Sequence, residues 1–260
     1  MAEKPTSIKY IKDNIDAFDF HFKKELGQNF LLDDNIILKI IDKSDITKDD
    51  CVLEIGPGMG SLTYFLSQKC AKLIAIEKDD KLIEVLKGNF ADTTNVTFIH
   101  GDVLKYDFDG LKSLFNADRK IKVISNLPYS ITSAVIIKLL KHGDMFDTLT
   151  LMMQKEVAER LSASAGTKDY GSLTLAVAYY ADVKALFNVP LTVFYPRPKV
   201  DSSVVLFQIR DTPAVSTSNE TEMFALIRAA FSTRRKTLVN ALNASLGLDK
   251  EKIADALNVL

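Results

Sequence analysis

Cysteine and histidine are scarce in this chain, at two and three among 260 residues. Cys51 and Cys70 fall in different predicted elements with no CxxC spacing. They read as small buried hydrophobes rather than as a disulfide or metal pair. His21, His100 and His142 are scattered, so a zinc enzyme is disfavoured and no metal is expected. Long apolar runs are missing too: nothing approaches the ~20 residues that span a bilayer. The opening Met-Ala-Glu-Lys-Pro-Thr has no apolar stretch behind it, so no secretory signal is expected and a cytoplasmic protein is. An excess of either charge is also lacking, because 33 basic and 34 acidic residues give a formal net charge of −1. A nucleic-acid binder is often strongly basic, so such a role here has to rest on a local patch. No internal repeat or low-complexity tract is visible. What is present, 47% hydrophobic and 26% charged residues, can bury a sizeable core and excludes disorder. The length suits one or two domains.

Ile8, Ile11, Ile15, Phe18 and Phe22 recur at helical spacing, which predicts an amphipathic helix over 1–22. From residue 51, short apolar runs alternate with helical patterns. The runs are Cys51–Ile55, Leu73–Ile76, Val96–Ile99, Lys122–Ser125 and Leu149–Met153; the helical stretches include Leu62–Cys70, Lys81–Phe90 and Ser133–Leu140. Strands alternating with helices predict an α/β, Rossmann-like, mostly parallel sheet, since parallel strands need crossover connections. Val183–Phe187 and Val204–Ile209 complete the sheet, with an antiparallel edge allowed. Loop formers after Ile209 precede a helical pattern, predicting a division into 1–210 and a small all-helical domain at 211–260.

The first strand closes on Glu54-Ile55-Gly56-Pro57-Gly58-Met59-Gly60, a turn in which backbone can approach a ligand closely. A dinucleotide fingerprint places its third glycine at 61, where this chain has Ser, so NAD is disfavoured. Glu77, at the end of the second strand, is placed to accept hydrogen bonds from ribose hydroxyls. Asp102, after the third strand, can accept from an adenine amine. Either alone reads equally well as a solvated charge; in sequence with the glycine turn they describe a pocket for an adenosine-bearing ligand along the carboxyl edge of the sheet.

The fourth strand ends in Asn126-Leu127-Pro128-Tyr129, which as plain sequence is a turn. Its position at the same edge suggests chemistry. The lone pair of an adenine amine is delocalised into the ring. The Asn126 side-chain oxygen and a backbone carbonyl near Leu127 can grip both N–H groups and favour a tetrahedral nitrogen. Pro128 stiffens the turn and adds no competing N–H. Tyr129 offers a face for stacking that also favours positive charge. No general base is needed to activate such a nucleophile.

Gly27-Gln28-Asn29-Phe30-Leu31, Glu54–Gly58, Asn126–Tyr129, Gln154–Leu161, Tyr170-Gly171 and Phe194–Ser202 together resemble the small-subunit ribosomal RNA adenine dimethyltransferases, from about Phe22 to the end. The resemblance implies a class I methyltransferase fold and S-adenosylmethionine as methyl donor. It implies two adjacent adenosines near the 3′ end of small-subunit rRNA, within an immature small subunit, as acceptors. It places Gln28, Asn29, Leu31, Gly56, Gly58, Glu77, Asp102, Val103 and Asn126 in the donor pocket. Asn126, Leu127, Pro128 and Tyr129 would hold the target base, with Phe194 stacking on its other face. Met223–Leu248 contains no Asp or Glu but carries Arg228, Arg234, Arg235 and Lys236, a segment suited to tracking phosphates, which Lys23, Lys24, Arg197 and Lys199 would extend. The alternatives are an RNA-binding assembly factor with secondary methylation, and a large-subunit rRNA adenine methyltransferase conferring antibiotic resistance.

Overall fold

The computed structural model describes residues 3–23, 26–115, 119–233 and 235–259. Five strands run parallel: β2 (Cys51–Ile55), β3 (Lys72–Glu77), β4 (Val96–His100), β5 (Ile121–Asn126) and β6 (Phe146–Gln154). Helices cross between them: α3 (Ser61–Ser67), α4 (Asp80–Asn89), α5 (Leu111–Phe115) and α6 (Thr132–Lys141). The sheet is completed by β7 (Ala181–Val189) and β9 (Ser202–Ile209), giving the order β4-β3-β2-β5-β6-β9-β7 with β9 antiparallel to both its neighbours. The α/β expectation holds, and the reversed strand sits one place in from the edge.

The inner strands are apolar along nearly their whole length because both sheet faces are covered. Leu53, Ile74, Val123 and Leu151 look into one core, while Val52, Leu73, Ile124 and Met152 look into the other. All eight are at most 1% exposed, and burying each such side chain contributes about 1.5–3 kcal/mol. Glu54 interrupts the pattern, and Thr63 Oγ1 on α3 satisfies it with a 2.7 Å hydrogen bond.

The helix expected over 1–22 is shorter. α1 spans Ile8–Ala17, capped by Ser7, whose hydroxyl accepts from the Tyr10 N–H. The chain then breaks through Asp19 at φ 49°. The physical reason is aromatic: Phe20 and Phe22 leave the helical path to pack with Phe30, at ring separations of 6.2 and 5.5 Å. That packing brings residues 26–31 across the carboxyl edge of the sheet. There β1 (Phe30–Leu31) forms a small antiparallel ladder with β8 (Phe194–Tyr195), ahead of α2 (Asp34–Lys43).

After β6 come α7 (Lys155–Leu161) and α8 (Ser172–Tyr180), and after β9 come α9 (Glu220–Ala230), α10 (Leu238–Leu246) and α11 (Lys250–Asn258). The last three share a small cluster of Ala229, Leu242 and Ile253. They lean on α8 through Phe224, which packs against Tyr179 and Tyr180 at 5.4 and 5.8 Å. Among the described residues no helix is long and apolar enough to cross a membrane.

Candidate active site and its relatives

The carboxyl ends of β2, β3, β4 and β5 open into a cleft of about 1210 Å³, counting its open mouth. Of the expected donor-pocket residues, Gln28, Asn29, Leu31, Gly56, Gly58, Glu77, Asp102, Val103 and Asn126 all line it, and so do Leu127, Pro128 and Tyr129.

The glycine turn is packed too tightly for side chains. Gly58 and Gly60 hold φ of 60° and 87°, and a Cβ there would meet the Phe30 ring at 2.9 Å and the Phe90 ring at 2.5 Å. L-residues avoid this conformation, and here the space is filled as well. The turn's backbone is thus left bare toward the cleft. Glu77 faces it and accepts from the N–H groups of Gly58, Lys78 and Asp79 at 3.2, 2.8 and 2.9 Å. Burial pushes its carboxyl above the usual range, and those three donors pull the other way. Asp102 sits at the next strand end. Its Oδ1 accepts from the Leu104 N–H, and its Oδ2 lies 3.0 Å from the Lys78 ammonium, which holds its pKa below the usual carboxylate range.

Asn126 ends β5 with its amide oriented: Nδ2 donates to the Asn29 carbonyl at 3.1 Å. That bond uses the donor end and leaves Oδ1 as the acceptor free to face a substrate amine. The Tyr129 hydroxyl and Ser202 Oγ lie 2.8 Å apart and share a hydrogen bond.

Glu54, 1% exposed, lies behind the turn as part of the cleft floor. Burial, then the nearby Glu77 charge, lifts its carboxyl from 4.5 to about 8 against the opposing Thr63 hydrogen bond. The folded protein therefore keeps a proton that the unfolded chain releases near 4.5. The stabilisation is full below that pH and is lost as pH rises toward 8. Glu54→Gln keeps an acceptor for Thr63 and removes the titration. Denaturant unfolding at pH 5 and pH 8 is expected to show wild type losing stability relative to Glu54→Gln over that interval; parallel profiles would remove Glu54 from the account.

The structure places some of the expected residues away from the cleft or already engaged. Phe194 does not line the cleft. The β1–β8 ladder sets it opposite Leu31, and it is 4% exposed within the core that holds Met152 and Val204. Gln28 lines the cleft, but its amide is already engaged. Nε2 donates to Asp79 Oδ2 at 2.8 Å, and Oε1 accepts from the Lys23 N–H at 2.8 Å. Lys23 is not free for phosphate either, since its ammonium lies 2.9 Å from Asp79 and 3.0 Å from Asp80. Lys23 and Gln28 are thus both fastened to the start of α4. Lys24 and Arg234 lie outside the described residues. Arg197, Lys199, Arg228, Arg235 and Lys236 are exposed. Asp79, buried at 1%, has no counterpart among the sequence expectations. Its place as the N-cap of α4 is visible in the chain, but its tether to Lys23 and Gln28 has no local sign.

A cleft of this make-up at the edge of a sheet with one reversed strand, and an Asn-Leu-Pro-Tyr turn on its rim, defines a class I methyltransferase that works on an amino nitrogen. The chain belongs to the ribosomal RNA adenine dimethylase family, whose model matches residues 19–259. It is 45% identical over 256 residues to a ribosomal RNA small subunit methyltransferase A of Alkaliphilus metalliredigens (strain QYMF), covering 98% of this chain and 89% of that protein. A protein of the same name from Anoxybacillus flavithermus (strain DSM 21510 / WK1) is 44% identical over 257 residues, covering 98% and 86%. Among solved structures, a dimethyladenosine transferase from Plasmodium falciparum superposes with a TM-score of 0.73 at 34% identity, over 88% of this chain and 82% of that one. The 23S rRNA methyltransferase ErmE shares the fold, with a TM-score of 0.65 at 24% identity and 88% of each chain covered.

Proposed function

We propose that this enzyme transfers methyl groups from S-adenosylmethionine to the exocyclic amines of two adjacent adenosines near the 3′ end of small-subunit rRNA, within an assembling small subunit. The observation that carries the reading is the Asn126 amide, oriented by Asn29 beside a cleft whose walls suit an adenosine-bearing ligand. The fit lies in the kinds of atoms presented: Glu77 offers carboxylate oxygens to ribose hydroxyls, Asp102 an acceptor to an adenine amine, and Val103 an apolar wall. The bound S-adenosylmethionine supplies an electrophilic methyl group on a sulfonium.

The chain's own residues prepare the nucleophile. Asn126 Oδ1 and the backbone carbonyl at Leu127 accept from the two N–H groups of the flipped adenine. This draws the amine lone pair out of conjugation and toward the methyl donor. Pro128 keeps the turn fixed, and Tyr129 stacks on the base, an interaction worth about 1–3 kcal/mol that also favours the developing cation. Once methylated, the cationic nitrogen releases one proton to water at the open mouth of the cleft, which leaves one N–H, so one acceptor grips it during the second transfer.

Residues 211–260 are read as a separate helical unit that contacts RNA. Its exposed Arg228, Arg235 and Lys236 would track phosphates, with the exposed Arg197 and Lys199 extending the patch. Replacing Arg228, Arg235 and Lys236 together with Ala is expected to weaken RNA binding and lower the slope of log affinity against log salt by about 3, one for each phosphate no longer neutralised. An unchanged slope would move the RNA elsewhere. The function itself is tested by radiolabelled methyl transfer to small subunits from a strain lacking the modification, with large subunits as control. Label in two neighbouring adenosines of the small subunit is expected; label on the large subunit alone would overturn the substrate assignment.

A further inference from the structure

We infer that Ser202 is a positioning residue for methyl transfer: it fixes the orientation of the Tyr129 ring on which the target base stacks. The inference rests on the function proposed above and deepens it by giving a role to a residue outside the cleft. Ser202 is the first residue of β9 and is fully buried, at 0% exposure. It is held there from both sides by strand pairing, opposite Gln154 on β6 and Val189 on β7. The residue before it is pinned as well. The Asp201 carbonyl accepts from the Lys155 N–H at 3.0 Å, and its carboxylate accepts from the Leu191 N–H at 2.9 Å. Ser202 Oγ is therefore a fixed point of the scaffold, and it reaches across to the Tyr129 hydroxyl at 2.8 Å.

Tyr129 needs such a point. It follows a proline on a loop after β5, and its ring is only partly enclosed. A Tyr side chain left free samples more than one staggered χ1 well, and a base stacked on it would share that disorder. Displacing a reacting group by 1 Å can cost about 100-fold in rate, so a ring anchored at both ends holds the amine in line at little further entropic cost. The tether acts on orientation, not on proton transfer. Burial raises the phenol pKa of Tyr129, keeping the group neutral and able to share the bond with Ser202. Phe194–Ser202 thus has one end in the core under the cleft, at Phe194, and the other bracing the stacking ring, at Ser202.

The test is a double-mutant cycle on methyl transfer with Ser202→Ala, Tyr129→Phe and the double variant, each with kcat, KM and S-adenosylhomocysteine affinity measured. Each single change removes the same hydrogen bond from one end. Each is expected to lower kcat by about tenfold, within the range set by geometric misplacement, with S-adenosylhomocysteine affinity unchanged. The double variant is expected to match the singles. Additive losses in kcat would overturn the proposal, because they would show Ser202 acting through strand packing independently of the Tyr129 hydroxyl. Tyr129→Phe leaves the buried strand untouched, so it reports even if Ser202→Ala folds poorly; full activity in Tyr129→Phe would also overturn it. Fluorine NMR of fluorotyrosine-labelled protein gives a readout independent of the RNA. The resonance missing from Tyr129→Phe is expected to move or broaden in Ser202→Ala, and an unmoved line would contradict the tether. A moved line in an enzyme that does not methylate small subunits would instead fault the proposed function.

Discussion

Asn126→Ala is expected to reduce methyl transfer by about 100- to 1,000-fold in kcat, the scale found when one preorganised polar group facing the reacting atoms is removed. The variant loses the acceptor that would hold the amine, together with the Nδ2–H bond to the Asn29 carbonyl. Cofactor binding should weaken only moderately, because the Glu77 and Asp102 end of the cleft is untouched. The check is single-turnover transfer to small subunits alongside calorimetric titration with S-adenosylhomocysteine. A variant that methylates at the wild-type rate would show that the amine is not gripped at Asn126.

Glu77→Ala is expected to have the largest effect on binding. Hydrogen bonds to a charged group are worth about 1.5–3 kcal/mol, and each 1.4 kcal/mol is tenfold in affinity, so S-adenosylhomocysteine should bind about 10- to 100-fold more weakly. Part of the loss comes from the protein itself. Without the carboxylate, the N–H groups of Gly58, Lys78 and Asp79 lose their common acceptor, and the glycine turn loses its tie to β3. Glu77→Gln separates the two effects, since its amide oxygen can still accept from part of that set while the charge is gone. Unchanged affinity in both variants would take Glu77 out of the cofactor site.

The sheet was legible in the sequence because its inner strands are buried on both faces and so appear as largely apolar runs between loop formers. Cys51–Ile55 is the same span in chain and structure, and the other four parallel strands differ only at their ends. The site's main residues were legible for a related reason: Glu77, Asp102 and Asn126 each close or follow a strand, so finding the strand locates the residue. What escaped depends on interactions between distant parts of the chain. The β1–β8 ladder is two residues long on each side and has no periodicity to betray it. It draws Phe194 into the core, where a linear motif had suggested a stacking face. Phe18 and Phe22 fit a helical repeat, yet the pull of Phe30 on Phe20 and Phe22 ended the helix early, tertiary packing overriding local pattern. Lys23 looked like a phosphate ligand because a basic residue in a loop is usually free. The buried Asp79 that claims it lies 56 residues away.

The central claim is that one cleft, at the carboxyl edge of this sheet, seats the methyl donor between the glycine turn and Asn126. A crystal structure with S-adenosylhomocysteine tests it most directly. The account predicts the ribose hydroxyls on Glu77, the adenine beside Asp102 and Val103, and the sulfur facing Asn126. Density for the nucleoside at any other place on the molecule, with Glu77 still closed on its three backbone partners, would contradict it.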